Sequence, residues 1–175
     1  MNRIVTALIA FLSVLAPGSA FADQITITRA TTVISDTMNN ANPRLFTDSV
    51  MDYKLTFNNP LGNALTPVRN MVIVENIPTN CDLQVTDLAG TSKGPVEFLD
   101  GSLLGTGLAS SGLTYTYNPA VVDSIEFSTD GSTWTSNASA TSGNYNPSIR
   151  AIRITLAGTF ATSTAFQLRY RVKIR

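Results

Sequence analysis

Residues Met51–Pro78, MDYKLTFNNPLGNALTPVRNMVIVENIP, contain two strand patterns separated by a turn. The first pattern, Met51–Asn58, alternates strictly between apolar and polar residues, which predicts a β-strand with one buried and one solvated face. Asparagine, glycine and Pro60 then supply residues typical of a turn. In the second pattern, Val68–Val74, apolar residues stand at both odd and even positions, so we expect a strand that is buried on both faces or nearly so.

Short strand patterns recur along the rest of the chain between turns rich in Gly, Pro, Asn and Ser, and no amphipathic helical pattern follows residue 22. Strands at short, fairly even intervals are typical of antiparallel β-sandwiches. The sequence therefore predicts an all-β fold, an antiparallel β-sandwich of Ig-like or related type with about nine strands.

The first 22 residues have the pattern of a secretory signal peptide: Arg3, an apolar run at Ile4–Ala16, and the cleavage motif Ala20-Phe21-Ala22. The alternative is a membrane anchor, but the apolar run is shorter than the ~20 residues that a spanning helix needs. We expect cleavage after Ala22 and no integral membrane segment in the mature chain. Residues 23–175 would then form a single exported domain, located in the periplasm, at the cell surface or outside the cell.

The mature chain would begin with a strand pattern, Asp23–Thr32, in which Ile25 and Ile27 alternate with polar residues. Two interpretations remain open. The segment is an ordinary edge strand of its own sandwich, or it is a donor strand that completes the sheet of a neighbouring subunit by β-augmentation. In the second case Ile25 and Ile27 would be assembly residues.

Cys81 is the only cysteine of the chain, so an internal disulfide is impossible. One interpretation is a small buried apolar residue. The other is an interchain disulfide in a dimer or polymer, because an unpaired thiol of an exported protein can bridge two molecules. Under the second interpretation Cys81 would also be an assembly residue.

The segment Val121–Asn137, VVDSIEFSTDGSTWTSN, predicts a β-hairpin. Asp130-Gly131 is a suitable two-residue type I′ turn, because both central positions of that turn need a positive φ. This turn would place Phe127 opposite Trp134. Residues opposite each other in an antiparallel pair share a face, so we expect these two rings to pack together in the core.

The final pattern, Ala165–Arg175, has one wholly apolar face and one polar, largely cationic face. We interpret the cationic face as a solvated one. Because exposed lysine and arginine discourage pairing between sheet edges, the strand is also a candidate for a protected edge. A surface that binds an anionic glycan is the alternative.

The charges balance over the whole chain, 12 basic against 12 acidic residues, but they are unevenly distributed. All acidic residues precede Gly131, whereas Gly131–Arg175 contains only basic ones. We expect late strands to lie beside early strands and to complement their charges, within a chain or between chains. Because the chain lacks a basic excess, we predict no nucleic-acid partner.

Residue types that carry out catalysis are scarce. The chain has no histidine and one cysteine, which excludes Ser-His-Asp and Cys-His arrangements and argues against a zinc or copper site. The acidic residues are scattered among turns and strand edges, and no phosphate-binding glycine motif occurs. The sequence therefore predicts a protein that is not an enzyme and that uses no metal or cofactor.

Tyr53, Leu55, Phe57 and Asn59, a Pro/Gly turn, and then the run from Val72 to Pro78 form a motif. This motif resembles the conserved-repeat domain of bacterial and archaeal surface proteins, an Ig-like domain of unknown function. Phe127–Thr135 is similar to the second hairpin of that family, whereas Asn76 replaces its usual aspartate. The resemblance implies a non-catalytic extracellular module and assigns no functional residues.

Two functions are compatible with these features. The first is a secreted structural or adhesive surface protein that associates with copies of itself, by strand exchange, or with other surface proteins. The alternative is an extracellular carbohydrate- or ligand-binding module. Its stacking platforms would be aromatic residues, since sugars stack on aromatic rings; the candidates are Tyr115, Tyr117, Trp134 and Tyr145.

Overall fold

A computed structural model describes residues 22–104, 109–118 and 123–175. Of the predicted signal peptide only Ala22 falls within these ranges, and Val121, at the start of the predicted hairpin, lies outside them. The described residues form ten strands, two short 3₁₀ helices and no α-helix. The strands are β1 Thr26–Ser35, β2 Val50–Asn59, β3 Val68–Asn76, β4 Cys81–Gln84, β5 Val96–Asp100, β6 Leu113–Thr114, β7 Ile125–Ser128, β8 Tyr145–Asn146, β9 Ala151–Phe160 and β10 Thr164–Ile174; the 3₁₀ helices are Leu61–Leu65 and Gly101–Leu103.

The strands form two antiparallel sheets. In the first sheet the order is β1-β2-β10-β4-β8, and β5 also pairs with β10. In the second sheet the order is β3-β9-β6, and β7 also pairs with β9. The inward faces of both sheets contribute to one hydrophobic core. The predicted antiparallel β-sandwich is therefore confirmed, with ten described strands in place of about nine.

β2 and β10 form the centre of the first sheet. Leu55 lies opposite Leu168 and Phe57 lies opposite Phe166, whose ring is stacked on it at 4.7 Å. The inward apolar alternation predicted for both strands is confirmed, but the face of β2 that was predicted to be solvated is partly covered, since Asp52 is 2% exposed. However, β10 has β2 on one side and β4 and β5 on the other, so the expectation of a protected edge strand is wrong.

The cationic face of β10 pairs with acidic residues of the strands beside it. Arg169 and Arg171 contact the carboxylate of Asp52 at 2.7 and 2.6 Å, and Arg169 also contacts Glu97 at 2.6 Å. Burial by itself raises the pKa of Asp52, but hydrogen bonds from Arg171 and Arg169 outweigh it and hold the pKa below its ordinary value. The expected charge complementarity between late and early strands is confirmed within the chain.

The prediction that β3 is buried on both faces is wrong. Ile73 is buried, whereas Val72 and Val74 are 55% and 49% exposed. Among the described residues β3 pairs with β9 and has no strand on its other side. The apolar residues on the two faces of β3 therefore belong to an edge strand whose outer face is uncovered.

The predicted register of the hairpin after β7 is also wrong. Phe127 exchanges backbone hydrogen bonds of 2.8 and 2.9 Å with Thr135, so the loop is longer than two residues. Gly131 has a positive φ of 79° but Asp130 does not; instead its carboxylate accepts hydrogen bonds from the backbone of Ser132 and Thr133. This capping stabilises a wider loop than a type I′ turn.

Trp134 consequently does not pack on Phe127. Phe127 is buried in the core, whereas the Trp134 ring lies under the guanidinium of Arg153, 4.6 Å from its centroid. Arg153 pairs with Glu126 on the outer face of the second sheet. A shift of one residue in register moves a side chain to the other face of a sheet, which explains the difference.

Candidate functional site at the open edge of the sandwich

The candidate site is the open edge of the sandwich, where β1 of the first sheet and β3 of the second lie beside each other. Among the described residues β1 pairs with β2 and with no other strand. Nine of its ten residues are exposed. Its sequence, TITRATTVIS, is rich in β-branched residues and carries one charge, Arg29. Natural edge strands usually carry several charges, a proline or a cover, so β1 is an unusually unprotected edge.

The inward side of β1 follows from its register. Ile27 lies opposite Phe57 and Arg29 lies opposite Leu55. Phe57 and Leu55 are core residues, and opposite residues share a face. Ile27 and Arg29 therefore point toward the second sheet, as do residues at the same parity.

A groove of about 270 Å³ separates this side of β1 from β3. Ile25 and Ile27 line it from the N-terminal segment, and Met71 and Ile73 line it from β3. Ile25 packs against the core, whereas Ile27 stays largely exposed. The structure thus brings together the two isoleucines that the sequence analysis proposed as assembly residues, and it places them at an uncovered apolar surface.

Glu75, which lines the groove, forms an ion pair with Arg29 of β1. Arg29 donates to both oxygens of Glu75 at 2.7 and 2.6 Å. Glu75 is only 8% exposed, and it also accepts a hydrogen bond of 3.2 Å from the hydroxyl of Tyr170. Burial, and then the neighbouring carboxylate, raise the pKa of Tyr170, so its hydroxyl remains a donor. The pair links β1 to β3 across the two sheets.

The N-terminal end of the segment before β1 is held through the backbone of Asp23. The Asp23 N–H donates to Oδ1 of Asn63 at 2.7 Å, and Nδ2 of Asn63 donates to the Asp23 carbonyl at 2.9 Å. Nδ2 also donates to Oδ1 of Asn59, whose own Nδ2 donates to the carbonyl of Phe160. Both amide side chains are buried, and their hydrogen bonds connect the N-terminal segment to the end of β9.

Gly62 provides the space for this contact. A Cβ at position 62 would overlap the carboxylate of Asp23. The 3₁₀ helix that contains Gly62 and Asn63 follows Pro60, which fixes the direction of the chain at the end of β2. The turn predicted at this place is therefore also the element that positions residue 23.

Cys81, the third residue proposed for assembly, does not lie at the open edge. It begins β4, is 1% exposed and belongs to the hydrophobic core. Burial raises the pKa of its thiol and so disfavours the reactive thiolate. Its position fits the interpretation as a small buried residue, since an interchain disulfide would require the core to open.

The four aromatic residues of the alternative function do not form one platform. Tyr145 lies in β8 of the first sheet, with the ammonium group of Lys173 5.4 Å from its ring. Trp134 lies on the outer face of the second sheet under an arginine. Tyr115 and Tyr117 line a common pocket, of about 220 Å³.

In the part of the chain that the structure describes, no group of three or more His, Cys, Asp and Glu side chains could hold a metal ion. Within the same residues no helix is long and apolar enough to cross a membrane. Comparisons with protein-family models, with curated proteins and with solved structures give no match. The resemblance to the conserved-repeat domain therefore stays a prediction.

Proposed function

We propose that the protein is an exported structural or adhesive surface subunit that associates with copies of itself by exchanging β1. The observation that carries this proposal is the state of β1, a ten-residue edge strand with nine exposed residues and one charge. Long, exposed strands of this kind readily pair with another chain. Contacts of this kind can retain an exported subunit at a surface.

Exchange of β1 exposes little of the core. The strand is held by its ladder with β2 and by the Arg29–Glu75 pair, and its side chains are mostly in water already. The same ladder and the same ion pair form again when the strand of a neighbour occupies this place. Exchange of identical elements is therefore a low-cost route to assembly.

The connection between β1 and β2 acts as the hinge in this proposal. Residues 36–49 form it, and the carboxylate of Asp36 accepts hydrogen bonds from the backbone of Arg44, Met38 and Asn40. The bond from Arg44, then a bond from the side chain of Asn40, and then the other backbone bonds lower the pKa of Asp36 to about 2. The hinge thus has an ordered closed form, and it must unfold locally before β1 can leave.

A disulfide lock tests the exchange. Thr28 lies opposite Thr56 in the ladder of β1 and β2, so a Thr28→Cys, Thr56→Cys chain in a Cys81→Ala background can close a bridge within one molecule. We expect negative-stain microscopy to show assemblies of the unaltered chain and only monomers of the oxidised variant. Reduction should restore the assemblies.

A matched control uses the other neighbour of β2. Thr56 also lies opposite Gln167 of β10, so Thr56→Cys with Gln167→Cys forms a bridge that leaves β1 free. This variant should assemble when oxidised. Assembly of the locked protein would contradict strand exchange, and an unaltered chain that stays monomeric at every concentration would contradict self-association itself.

A further inference from the structure

We infer that the position of β1 at the open edge accepts residues 23–29 of a second copy of this chain, with Asn63 and Glu75 selecting their register. The inference rests on the proposed function. It adds the residues that recognise the exchanged segment and set its register.

The first step concerns spacing. Asp23, Ile25, Ile27 and Arg29 follow one another at intervals of two residues, and successive side chains of a strand alternate between faces. Ile25, Ile27 and Arg29 therefore face the second sheet, and residue 23 contributes its backbone N–H and C=O groups. The two polar contacts lie at the ends of this segment, ~20 Å apart along an extended strand, and the isoleucines lie between them.

The second step concerns what an empty or misaligned groove would lack. Without a backbone amide at position 23, the buried side chain of Asn63 loses an acceptor and a donor. Without Arg29, the buried carboxylate of Glu75 keeps the hydroxyl of Tyr170 but has no cation. Both losses are costly in a desolvated site, and a slip by one residue causes both at once.

The third step identifies the occupant. The pattern D-x-I-x-I-x-R occurs once in the sequence, at Asp23–Arg29, and its arginine complements the charge of Glu75. Every other copy of the chain carries the same segment on a hinge, residues 36–49, that spans up to ~45 Å when extended. A second copy therefore supplies both the chemistry and the reach that the groove requires.

Charge inversion tests this assignment with full-length chains. An Arg29→Glu chain places two carboxylates at the position of the ion pair, and a Glu75→Arg chain places two guanidinium groups there. Each variant alone carries the repulsion in the closed and in the exchanged form alike, whereas in a mixture only exchange between the two variants relieves it, so the mixture should assemble at least about tenfold more than either variant alone. The repulsion is relieved because exchange places the introduced glutamate opposite the introduced arginine.

The chain with both substitutions is the control for folding. It can form the inverted pair in the closed and in the exchanged form, so its thermal stability shows whether the site tolerates inversion. If this double variant is stable and the mixture assembles no more than either variant alone, β1 docks only in its own chain, and the inference is overturned. Self-association of the unaltered chain through another surface would survive that result.

Crosslinking supplies a second readout that does not depend on the inverted pair. A Thr28→Cys chain is mixed with a Thr56→Cys chain, both with Cys81→Ala, and an intermolecular disulfide is expected because these residues are opposite in the ladder. A Lys54→Cys chain is the register control, because Lys54 faces Ala30, two residues further along.

The role of Asn63 appears in the ratio of the two crosslinks. With Asn63 intact, the 28–56 product should exceed the 28–54 product by at least about tenfold. In the Asn63→Ala background the ratio should fall several-fold, because residue 23 no longer fixes the strand. An unchanged ratio would show that Asn63 does not select the register. Assemblies without the 28–56 product would show that the position of β1 does not accept a second copy.

Discussion

Two tyrosine hydroxyl groups are buried in different surroundings. The hydroxyl of Tyr170 donates to Glu75 at 3.2 Å. The hydroxyl of Tyr115 is buried and has no hydrogen-bond partner among the described residues. Burial raises the pKa of both residues, so both hydroxyls are neutral at physiological pH. The two sites therefore differ in whether the buried hydroxyl is satisfied.

This difference predicts opposite sensitivities to the loss of one oxygen atom. Tyr170→Phe should lower the free energy of unfolding by about 1–2 kcal/mol, because the buried carboxylate of Glu75 loses a donor. Tyr115→Phe should change it by less than about 0.5 kcal/mol or increase it, because an unsatisfied polar group is removed. Urea denaturation followed by fluorescence measures both values, and an equal loss in the two variants would contradict the assigned contacts.

At the residue scale, alternation predicts which side chains face inward but not which distant residues they contact. The inward residues of β2 and β10 were predicted because each strand follows a period of two without interruption. The burial of Glu75 was not predicted, because a carboxylate within an apolar run normally indicates a residue that faces solvent. It is buried because Arg29, 46 positions earlier, pairs with it, and no local pattern encodes that contact.

At the scale of elements, β9 is the central strand of the second sheet, and it is irregular at Gly158. The register between β3 and β9 shifts between Arg69 and Met71, which face Thr159 and Leu156. Gly158 has a φ of 103°, and the carbonyl of Gly112 next to β6 lies against the position that a Cβ would occupy. The bulge therefore lets β6 approach β9 closely.

Gly158 and Gly131 separate the effect of close packing from that of backbone conformation. Gly158→Ala should cost about 3 kcal/mol of stability, because it adds a clash with a carbonyl to an unfavourable φ. Gly131→Ala should cost about 1 kcal/mol, because its φ of 79° is unfavourable but its surroundings are open. Thermal and urea unfolding of the two variants measure the difference, and equal costs would contradict the close approach of β6 and β9.

The order of strands within a sheet was less predictable than the strands themselves. β3 was expected to be buried on both faces and lies at an edge, whereas β10 was considered for an edge and lies at the centre. A period of two reports the faces of a strand, but its lateral neighbours depend on pairings distant in sequence. The open edge could therefore be anticipated only in part, from Ile25 and Ile27, whereas Asn63 looked like an ordinary turn residue.

At the scale of the whole molecule, the assembly surface and the single thiol are separate. Cys81 lies opposite Ile174 in the first sheet, with β10 and β2 between its strand and β1. Its side chain is in the core, whereas the exchanged strand is at the surface. Exchange of β1 consequently leaves the surroundings of Cys81 closed.

This separation predicts assemblies that contain no disulfide. On denaturing gels without reductant the assembled protein should migrate as single chains, because a buried thiol with a raised pKa does not reach a second molecule. Cys81→Ala should lower stability by about 1 kcal/mol through the lost packing and should leave the extent of assembly unchanged. A dimer band that disappears on reduction, or a folded Cys81→Ala chain that no longer assembles, would instead assign the contact between copies to Cys81.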